Sequence, residues 1–178
     1  SPKTKEREIY SLEEVKHMLE LFEEEDETNF KYTIFFTLAA FTGLRRGELL
    51  GLEWKDIDWE NNLIHVIRTS EYTKEKGIYT DTPKTKSSIR FIKVPDEVIT
   101  KLKLFREWQG DYKTQLGDKW VECDRLFTKW NGEPMGMRSP YKFFEKFCER
   151  TGMRFVNIHS FRHFNASILI NNGVDVKT

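Results

Sequence analysis

The first part of the chain carries apolar residues at helical spacing. Ser11 and Glu14 form a capping box, which is a helix-start signal. Apolar positions then recur on one helical face, at Leu12, Val15, Leu19 and Phe22. This pattern predicts a helix over about 12–24. The more apolar segment 30–41 predicts a second helix that is buried on most sides and that Gly43 ends.

Alternating and β-branched segments dominate the middle of the chain. A short third helix is predicted over 44–50, and three strand patterns follow at 63–69, 78–82 and 89–94. Polar loops separate these three segments, which is the pattern of a small antiparallel sheet.

Helical patterns return in the last part of the chain. A proline at a helix start predicts helices from Pro95 to Trp108 and from Ser139 to Gly152. A last helix is predicted from Ser160 to Asn172. The fold class that follows is α+β and mostly helical, with helices around a small three-stranded antiparallel sheet.

Length and composition favour one folded domain. The 178 residues are 38% hydrophobic and 14% aromatic, which is enough for one core. Residues 1–9 read as a linker and 10–178 as the domain. The longest nearly apolar stretch, 34–41, is too short for a membrane span, and no signal pattern opens the chain, so a soluble, cytoplasmic protein is predicted. Cys123 and Cys148 are predicted to be reduced thiols.

The net charge of zero conceals two unequal parts. The first 60 residues carry 8 Lys and Arg against 15 Asp and Glu, a net charge of −7, whereas the remaining residues carry +7. A basic face could therefore meet a polyanion while an acidic surface points elsewhere. A mixed, solvated surface is the alternative interpretation of the same charges.

Three polar segments contain candidate chemistry. In 42–49, Arg45 and Arg46 open a short helix, where an anion such as phosphate is favoured. A surface role for Arg46 and an ion pair between Arg45 and Glu48 are the structural alternatives. In 82–88, Lys84 and Lys86 occupy a polar turn between strands, where a lysine can enter a nucleic-acid groove or donate a proton. An ordinary charged hairpin is the alternative there.

The third segment is 158–163. His159 and Arg162 are three residues apart at a predicted helix start, so both can face one point. His159 and His163 also match half of a zinc site, but no Glu follows the first His, which disfavours a metal. No metal or cofactor is therefore predicted.

In their order and distances, these segments resemble the catalytic domain of tyrosine recombinases of the phage-integrase type. The motifs are Thr-Gly-Leu-Arg-x-Gly-Glu-Leu at 42–49, the lysine turn at 84–90, and His-x-x-Arg at 159–162. The segment Leu-Glu-Trp-Lys-Asp-Ile-Asp at 52–58 is also similar to the family's pattern. The resemblance extends from the capped first helix to Gly173.

The resemblance implies site-specific DNA recombination and integration through a phosphotyrosine intermediate. Its catalytic residues would be Arg45, Lys84, His159 and Arg162, with Lys86 as an alternative to Lys84 and with Glu48 supporting the arginine. Residues expected to contact DNA phosphates are Arg46, Lys74, Lys76 and Lys86. Two guanidinium groups can stabilise the charge that develops on phosphorus oxygens, so the chemistry requires no metal.

The resemblance also implies partners and further parts. The expected partner is double-stranded DNA, on which the full-length protein would form a homotetramer. Accessory DNA-bending proteins are possible further partners. The family's nucleophilic tyrosine follows His-x-x-Arg at a greater distance than the sixteen residues present here. We therefore expect a fragment that is inactive alone, with a catalytic domain over 10–178 that is incomplete at its C-terminus. Residues 1–9 would be a linker or the stub of a missing N-terminal core-binding domain. A DNA-binding regulator and a type IB topoisomerase-like domain are the alternative functions.

Overall fold

The structure is a computed structural model that describes residues 9–83, 85–157 and 164–174. Its helices are α1 Leu12–Phe22, α2 Phe30–Thr42, α3 Arg46–Leu50, α4 Asp96–Leu116, α5 Ser139–Thr151 and α6 Ala166–Asn171. Its strands are β1 Ile57–Asp58, β2 Leu63–Val66, β3 Thr69–Thr73, β4 Gly77–Asp81 and β5 Arg90–Lys93. The predicted fold class, mostly helical with a small antiparallel sheet, is confirmed.

Helix α2 lies at the centre of the core. Every residue from Thr33 to Thr42 is buried, which confirms the prediction of a helix covered on most sides. Aromatic rings from α1 and α5 pack against it: the Phe22 ring stacks on Phe36 of α2 at 5.6 Å, and the Phe144 ring stacks on Phe36 at 4.8 Å. Such stacked rings bury large apolar areas, so this cluster contributes much of the driving force for folding.

Local signals set the ends of several helices as predicted. The Ser11 hydroxyl accepts a hydrogen bond from the Glu14 amide at 3.1 Å, and the Glu14 carboxylate accepts one from the Ser11 amide at 3.1 Å. Gly43 and Gly152 end α2 and α5 with φ of 66° and 78°, a left-handed conformation that only glycine adopts at little cost.

The strands pair differently from the prediction. The three-stranded sheet has the order β1-β2-β5, while β3 and β4 form a separate two-stranded sheet. The predicted strand 78–82 is therefore not a member of the three-stranded sheet. Val66 pairs with Arg90 and Thr69 pairs with Asp81, so residues 82–89 are inserted opposite only Ile67 and Arg68.

That register makes 63–93 one long hairpin whose returning arm contains an insertion. The hairpin tip is 74–76, between β3 and β4. The polar segment 82–88 was predicted to be a hairpin turn, but it connects the two sheets instead. The ladder breaks there because eight residues face two, which prevents the strand pairing from continuing.

Two helices differ in extent from the prediction. Helix α4 continues past Trp108 to Leu116, where stacking of Trp108 on Tyr112 at 5.6 Å supports its last turns. Helix α6 begins at Ala166, because Asn165 is extended and its side chain caps the helix by accepting the Ile168 amide at 3.1 Å. Ser160 itself lies outside the described residues.

Two further sequence features can be compared with the structure. Cys123 and Cys148 are both free, as predicted, and Cys148 is buried. Within 9–83, 85–157 and 164–174, no helix combines the length and the apolar character needed to cross a membrane.

Gly47 allows α3 to lie directly against β3. A Cβ atom at this position would lie 2.9 Å from the Ser70 carbonyl oxygen and would also overlap the Thr69 hydroxyl. The Ser70 backbone cannot move without disturbing the β3–β4 pairing. The glycine of the Arg-x-Gly-Glu motif is therefore required by close packing.

We expect Gly47→Ala to lower the free energy of unfolding by about 1–3 kcal/mol, because the added methyl group overpacks the α3–β3 contact. Gly110→Ala is the matched control: Gly110 lies inside α4 and a Cβ there meets nothing within 4 Å. That control should gain about 0.5–1 kcal/mol from helix propensity. Urea unfolding measures both, and an equal effect of the two substitutions would contradict the packing argument.

Candidate active site

Arg45 is placed by the connection between α2 and α3. The Thr42 hydroxyl donates to the Leu38 carbonyl at 2.6 Å and accepts a hydrogen bond from the Leu44 amide at 3.2 Å. Together with the left-handed Gly43, these bonds hold the chain in a tight turn. Arg45 follows immediately, at the N-cap position of α3 with an exposed side chain. Its guanidinium is therefore presented to solvent from a rigid support.

Glu48 is the buried acceptor beneath this turn. It is 5% exposed, and its Oε1 accepts the Arg45 amide at 3.0 Å. The Arg90 guanidinium binds the same carboxylate with two bonds, Nη1 to Oε2 at 2.9 Å and Nη2 to Oε1 at 3.2 Å. Burial alone would raise the pKa of Glu48, but the hydrogen bonds from Arg90 and the Arg45 amide outweigh it and hold that pKa below its ordinary value.

Arg90 extends this contact to the lysine segment. Besides Glu48, its Nη1 donates to the Ser88 carbonyl at 2.7 Å. Ser88 ends a 3-10 turn, Lys86–Ser88, whose start is held by a 2.8 Å bond between the Thr85 and Ser88 hydroxyls. One guanidinium thus joins the helix that bears Arg45 to the turn that bears Lys86.

Two further arginines hold the hairpin against the C-terminal end of α3. Arg68 forms ion pairs with Asp56 and with Glu53, the latter at 2.7 Å, and donates to the Gly51 carbonyl at 3.1 Å. Asp56 and Glu53 belong to the Leu-x-Trp-x-Asp-Ile-Asp segment, so this motif anchors Arg68, which lies between β2 and β3 opposite the insertion.

Arg125 is the second of these arginines. It is buried, and it donates to the Leu50 carbonyl at 2.8 Å and to the Thr80 hydroxyl at 2.7 Å. Burial lowers the pKa of this guanidinium. It connects α3 with β4, and hydrogen bonds to a buried charged group are among the stronger ones.

The residues singled out in the sequence fall into three groups. Arg45, Arg46, Glu48 and Lys86 lie on α3 and on the turn that Arg90 binds to it. Lys74 and Lys76 are exposed at the hairpin tip, separated from Lys86 by the length of β4. The remaining candidates lie outside the described residues: Lys84, His159, Arg162 and His163.

Sequence reasoning missed the positioning arginines. Arg90 was visible as the last residue of the lysine motif, but its partner Glu48 is 42 residues away, so no local pattern could connect the two. Arg68 and Arg125 carried no signal. Among the described residues, no group of three or more His, Cys, Asp or Glu side chains is arranged to hold a metal ion.

Comparison with known proteins identifies a family and relatives that match this chain. Residues 10–178 match the family model described as the phage integrase family. The chain is 34% identical over 182 residues to a tyrosine recombinase XerC-like protein of Caldanaerobacter subterraneus subsp. tengcongensis, covering 96% of this chain and 45% of that protein. It is 31% identical over 166 residues to the ICEBs1 integrase of Bacillus subtilis, covering 93% of this chain and 44% of the integrase.

The fold also resembles a solved structure. The Tn1549 transposon integrase in complex with transposon right-end DNA superposes with a TM-score of 0.71 at 24% identity, covering 94% of this chain and 54% of the integrase. At this identity the likeness establishes the fold. The chain spans about half the length of the curated relatives it matches.

The Glu48–Arg90 pair yields a stability prediction. We expect Arg90→Ala to lower the free energy of unfolding at pH 7 by about 2–3 kcal/mol, because it leaves a buried carboxylate without its charged partner. The double variant Glu48→Gln/Arg90→Ala should regain part of that loss. Urea unfolding of Arg90→Ala, Glu48→Gln and the double variant measures the coupling, and a loss in the double variant equal to the sum of the two single losses would contradict it.

The same pair predicts a pH dependence. The pKa of Glu48 is lower in the folded protein than its ordinary value near 4.5, so its stabilisation is present above that value. It is lost as the pH falls through the folded pKa, when the carboxylate takes up a proton. Glu48→Gln should therefore flatten the fall in stability below about pH 4.5. An unchanged slope would show that Glu48 does not contribute to it.

Proposed function

The chain belongs to the phage integrase family, and from this premise we propose that it supplies the phosphate-binding part of a site-specific DNA recombinase. The reaction would break and rejoin DNA strands through a phosphotyrosine intermediate. The observation that carries the proposal is the set of hydrogen bonds around Glu48. The Glu48 carboxylate binds the Arg45 amide and the Arg90 guanidinium, and Arg90 binds the lysine turn through the Ser88 carbonyl. Two cationic segments far apart in the sequence are thereby held to one place.

Arg45 has the properties that a phosphoryl-transfer site requires. Negative charge grows on the non-bridging oxygens as a phosphodiester is attacked, and a fixed guanidinium can bind those oxygens with two parallel hydrogen bonds. The Arg45 side chain is exposed, whereas its backbone is fixed by Glu48. A preorganised cation stabilises the transition state without reorganisation during the reaction.

The other catalytic roles are part of the proposal. Arg162 would bind the same phosphate as Arg45, and His159 would exchange a proton with the nucleophile. Lys84, or Lys86 in its place, would protonate the departing 5′ oxygen. No metal or cofactor is required in this scheme, because the guanidinium and ammonium groups supply the positive charge.

The nucleophile is expected elsewhere in the full-length protein. Tyr10 is buried and donates to the Arg154 carbonyl at 2.5 Å, and burial raises its pKa. The Tyr112 hydroxyl donates to the Trp130 carbonyl at 2.7 Å, and burial also raises the pKa of Tyr32. Raised pKa values and existing hydrogen bonds disfavour attack by these hydroxyls, so we assign them packing roles.

Partners and place of action follow from the same proposal. The substrate would be double-stranded DNA, bound by a homotetramer of the full-length protein with room for DNA-bending accessory proteins. The protein would act in the cytoplasm. The DNA-bound Tn1549 integrase supports the DNA partner by similarity.

Arg45→Ala in the full-length protein should reduce strand cleavage by about 10²–10³-fold, because one fixed donor to the transition state is lost. The substitution keeps the backbone amide that Glu48 binds, so the fold should persist. Cleavage of a nicked DNA substrate measures the effect. The control is Arg106→Ala, a surface arginine whose guanidinium lies 5.5 Å from the Trp59 ring.

Three outcomes separate the candidate functions. Normal cleavage by Arg45→Ala refutes the assignment of this residue. DNA binding without cleavage by the full-length wild-type protein supports the regulator. Relaxation of supercoiled DNA without sequence preference supports the topoisomerase-like alternative.

The lysines predict a salt dependence of DNA binding by the chain itself. If Lys74 and Lys76 each contact one phosphate, replacing both by Ala should reduce the slope of log affinity against log salt by about 1.8. Lys103→Ala/Lys119→Ala removes the same charge from α4 and the turn after it, and should leave the slope unchanged. Fluorescence anisotropy with a labelled duplex measures both slopes, and equal slopes for the two double variants would contradict the hairpin contacts.

A further inference from the structure

A cleft beside α4 carries features that the proposed function does not use. It has a volume of about 490 Å³ and is lined by Trp108, Tyr112, Trp130, Glu27, Asp111 and Lys31, among others. We call it the α4 cleft. Three aromatic side chains and two carboxylates line it together.

The aromatic wall of the cleft continues a stack that begins in the core. Phe105 stacks on Trp108 at 6.0 Å, and Trp108 stacks on Tyr112 at 5.6 Å. The rings pass from the buried Phe105 to the partly exposed Tyr112. Because each ring is supported by the one beneath it, the wall is preorganised.

Trp130 is held in an exposed position opposite this stack. Its side chain is 61% exposed, although its backbone carbonyl accepts the Tyr112 hydroxyl at 2.7 Å. The turn that presents it closes through bonds from Lys129 N to Glu133 O at 2.7 Å and from Gly132 N to Lys129 O at 3.1 Å. Gly132 has φ of 91°, and a Cβ there would lie 2.7 Å from the Trp120 ring. A specifically built turn therefore places a large indole in water.

The charges of the cleft favour a cation. In the acidic run 23–27, Glu23 pairs with Lys101, Glu25 pairs with Arg150, and Asp26 accepts the Thr28 amide at 3.0 Å. Glu27 and Asp111, which line the cleft, have no hydrogen-bonded or ion-pair partner for their carboxylates within 9–83, 85–157 and 164–174.

Lys31 is the cation already present in the cleft, and its ammonium is engaged. It donates to the Thr128 carbonyl at 3.1 Å and lies 5.6 Å from the Tyr32 ring. The two free carboxylates exceed this single positive charge. They would repel the phosphates of DNA and attract a basic group.

We propose that the α4 cleft binds a basic segment of a partner protein, with an arginine or lysine side chain against the Trp130 and Tyr112 rings and near Glu27 and Asp111. Aromatic rings attract a cation through their negative faces, and the carboxylates add charge complementarity. This inference does not depend on the proposed recombinase function. It assigns the acidic first part of the chain a partner other than DNA.

A pair of synthetic peptides tests the proposal. The probe is a heptapeptide of alternating glycine and arginine, and the matched peptide has citrulline at each arginine position, which preserves shape and removes charge. Isothermal titration with the chain should give saturable binding of the arginine peptide, roughly tenfold tighter than that of the citrulline peptide.

Variants place the binding in the cleft. Trp130→Ala, Glu27→Gln and Asp111→Asn should each weaken binding of the arginine peptide by about fivefold. Glu107→Gln is the matched control, since Glu107 is an exposed carboxylate on the same helix that does not line the cleft. The Glu107→Gln variant should bind the arginine peptide with the affinity of the wild type.

Several results would overturn the proposal. Equal affinity for the two peptides would remove the role of charge, and equal losses for Glu107→Gln and Glu27→Gln would remove the role of the cleft. Absence of saturable binding at about 5 mM peptide would reject the site altogether. Displacement of the peptide by a short oligothymidylate, with binding that depends on Trp130, would assign the cleft to single-stranded nucleic acid instead.

Discussion

The buried carboxylate of Glu48 is the contact on which the candidate site depends. It accepts hydrogen bonds from the Arg45 amide and from both terminal nitrogens of Arg90, and Arg90 also donates a hydrogen bond to the Ser88 carbonyl. A buried carboxylate is costly unless several donors satisfy it, and here those donors come from two distant segments. The need to satisfy one charge therefore brings the arginine helix and the lysine turn together.

Guanidinium groups serve the same purpose around the rest of α3. Arg68 and Arg125 donate to the Gly51 and Leu50 carbonyls, which are the acceptors left open at the end of this short helix. A five-residue helix has little stability of its own, so its position must come from neighbouring contacts. Gly47 completes the arrangement by letting β3 approach the helix backbone.

Basic and acidic residues are concentrated on different surfaces of the chain. The basic residues near the site and at the hairpin tip are suited to phosphate, whereas the acidic run 23–27 lies beside the α4 cleft. Two of its five acidic side chains, Glu23 and Glu25, pair with Lys101 and Arg150 from other helices, whereas Glu27 has no ion-pair partner within the described part of the chain. The overall neutrality of the chain is therefore the sum of surfaces with opposite charge, so it is no argument against a nucleic-acid site.

Local signals in the sequence determined the capped start of α1, the buried character of α2, the end of α5 at Gly152, and the resemblance that the family match confirms. The helix-start and helix-end signals act within about one helical turn, so neighbouring residues suffice to predict them. The burial of α2 and the resemblance are also visible in the sequence, because they rest on residue types and on the order of short motifs. Only the tertiary structure decided the insertion of 82–89 opposite Ile67 and Arg68, and the pairing of Arg90 with Glu48. Strand partners and buried ion pairs join residues that are far apart in the chain. Which residues pair depends on which polar groups the packed core buries, because each buried polar group needs a hydrogen-bond partner.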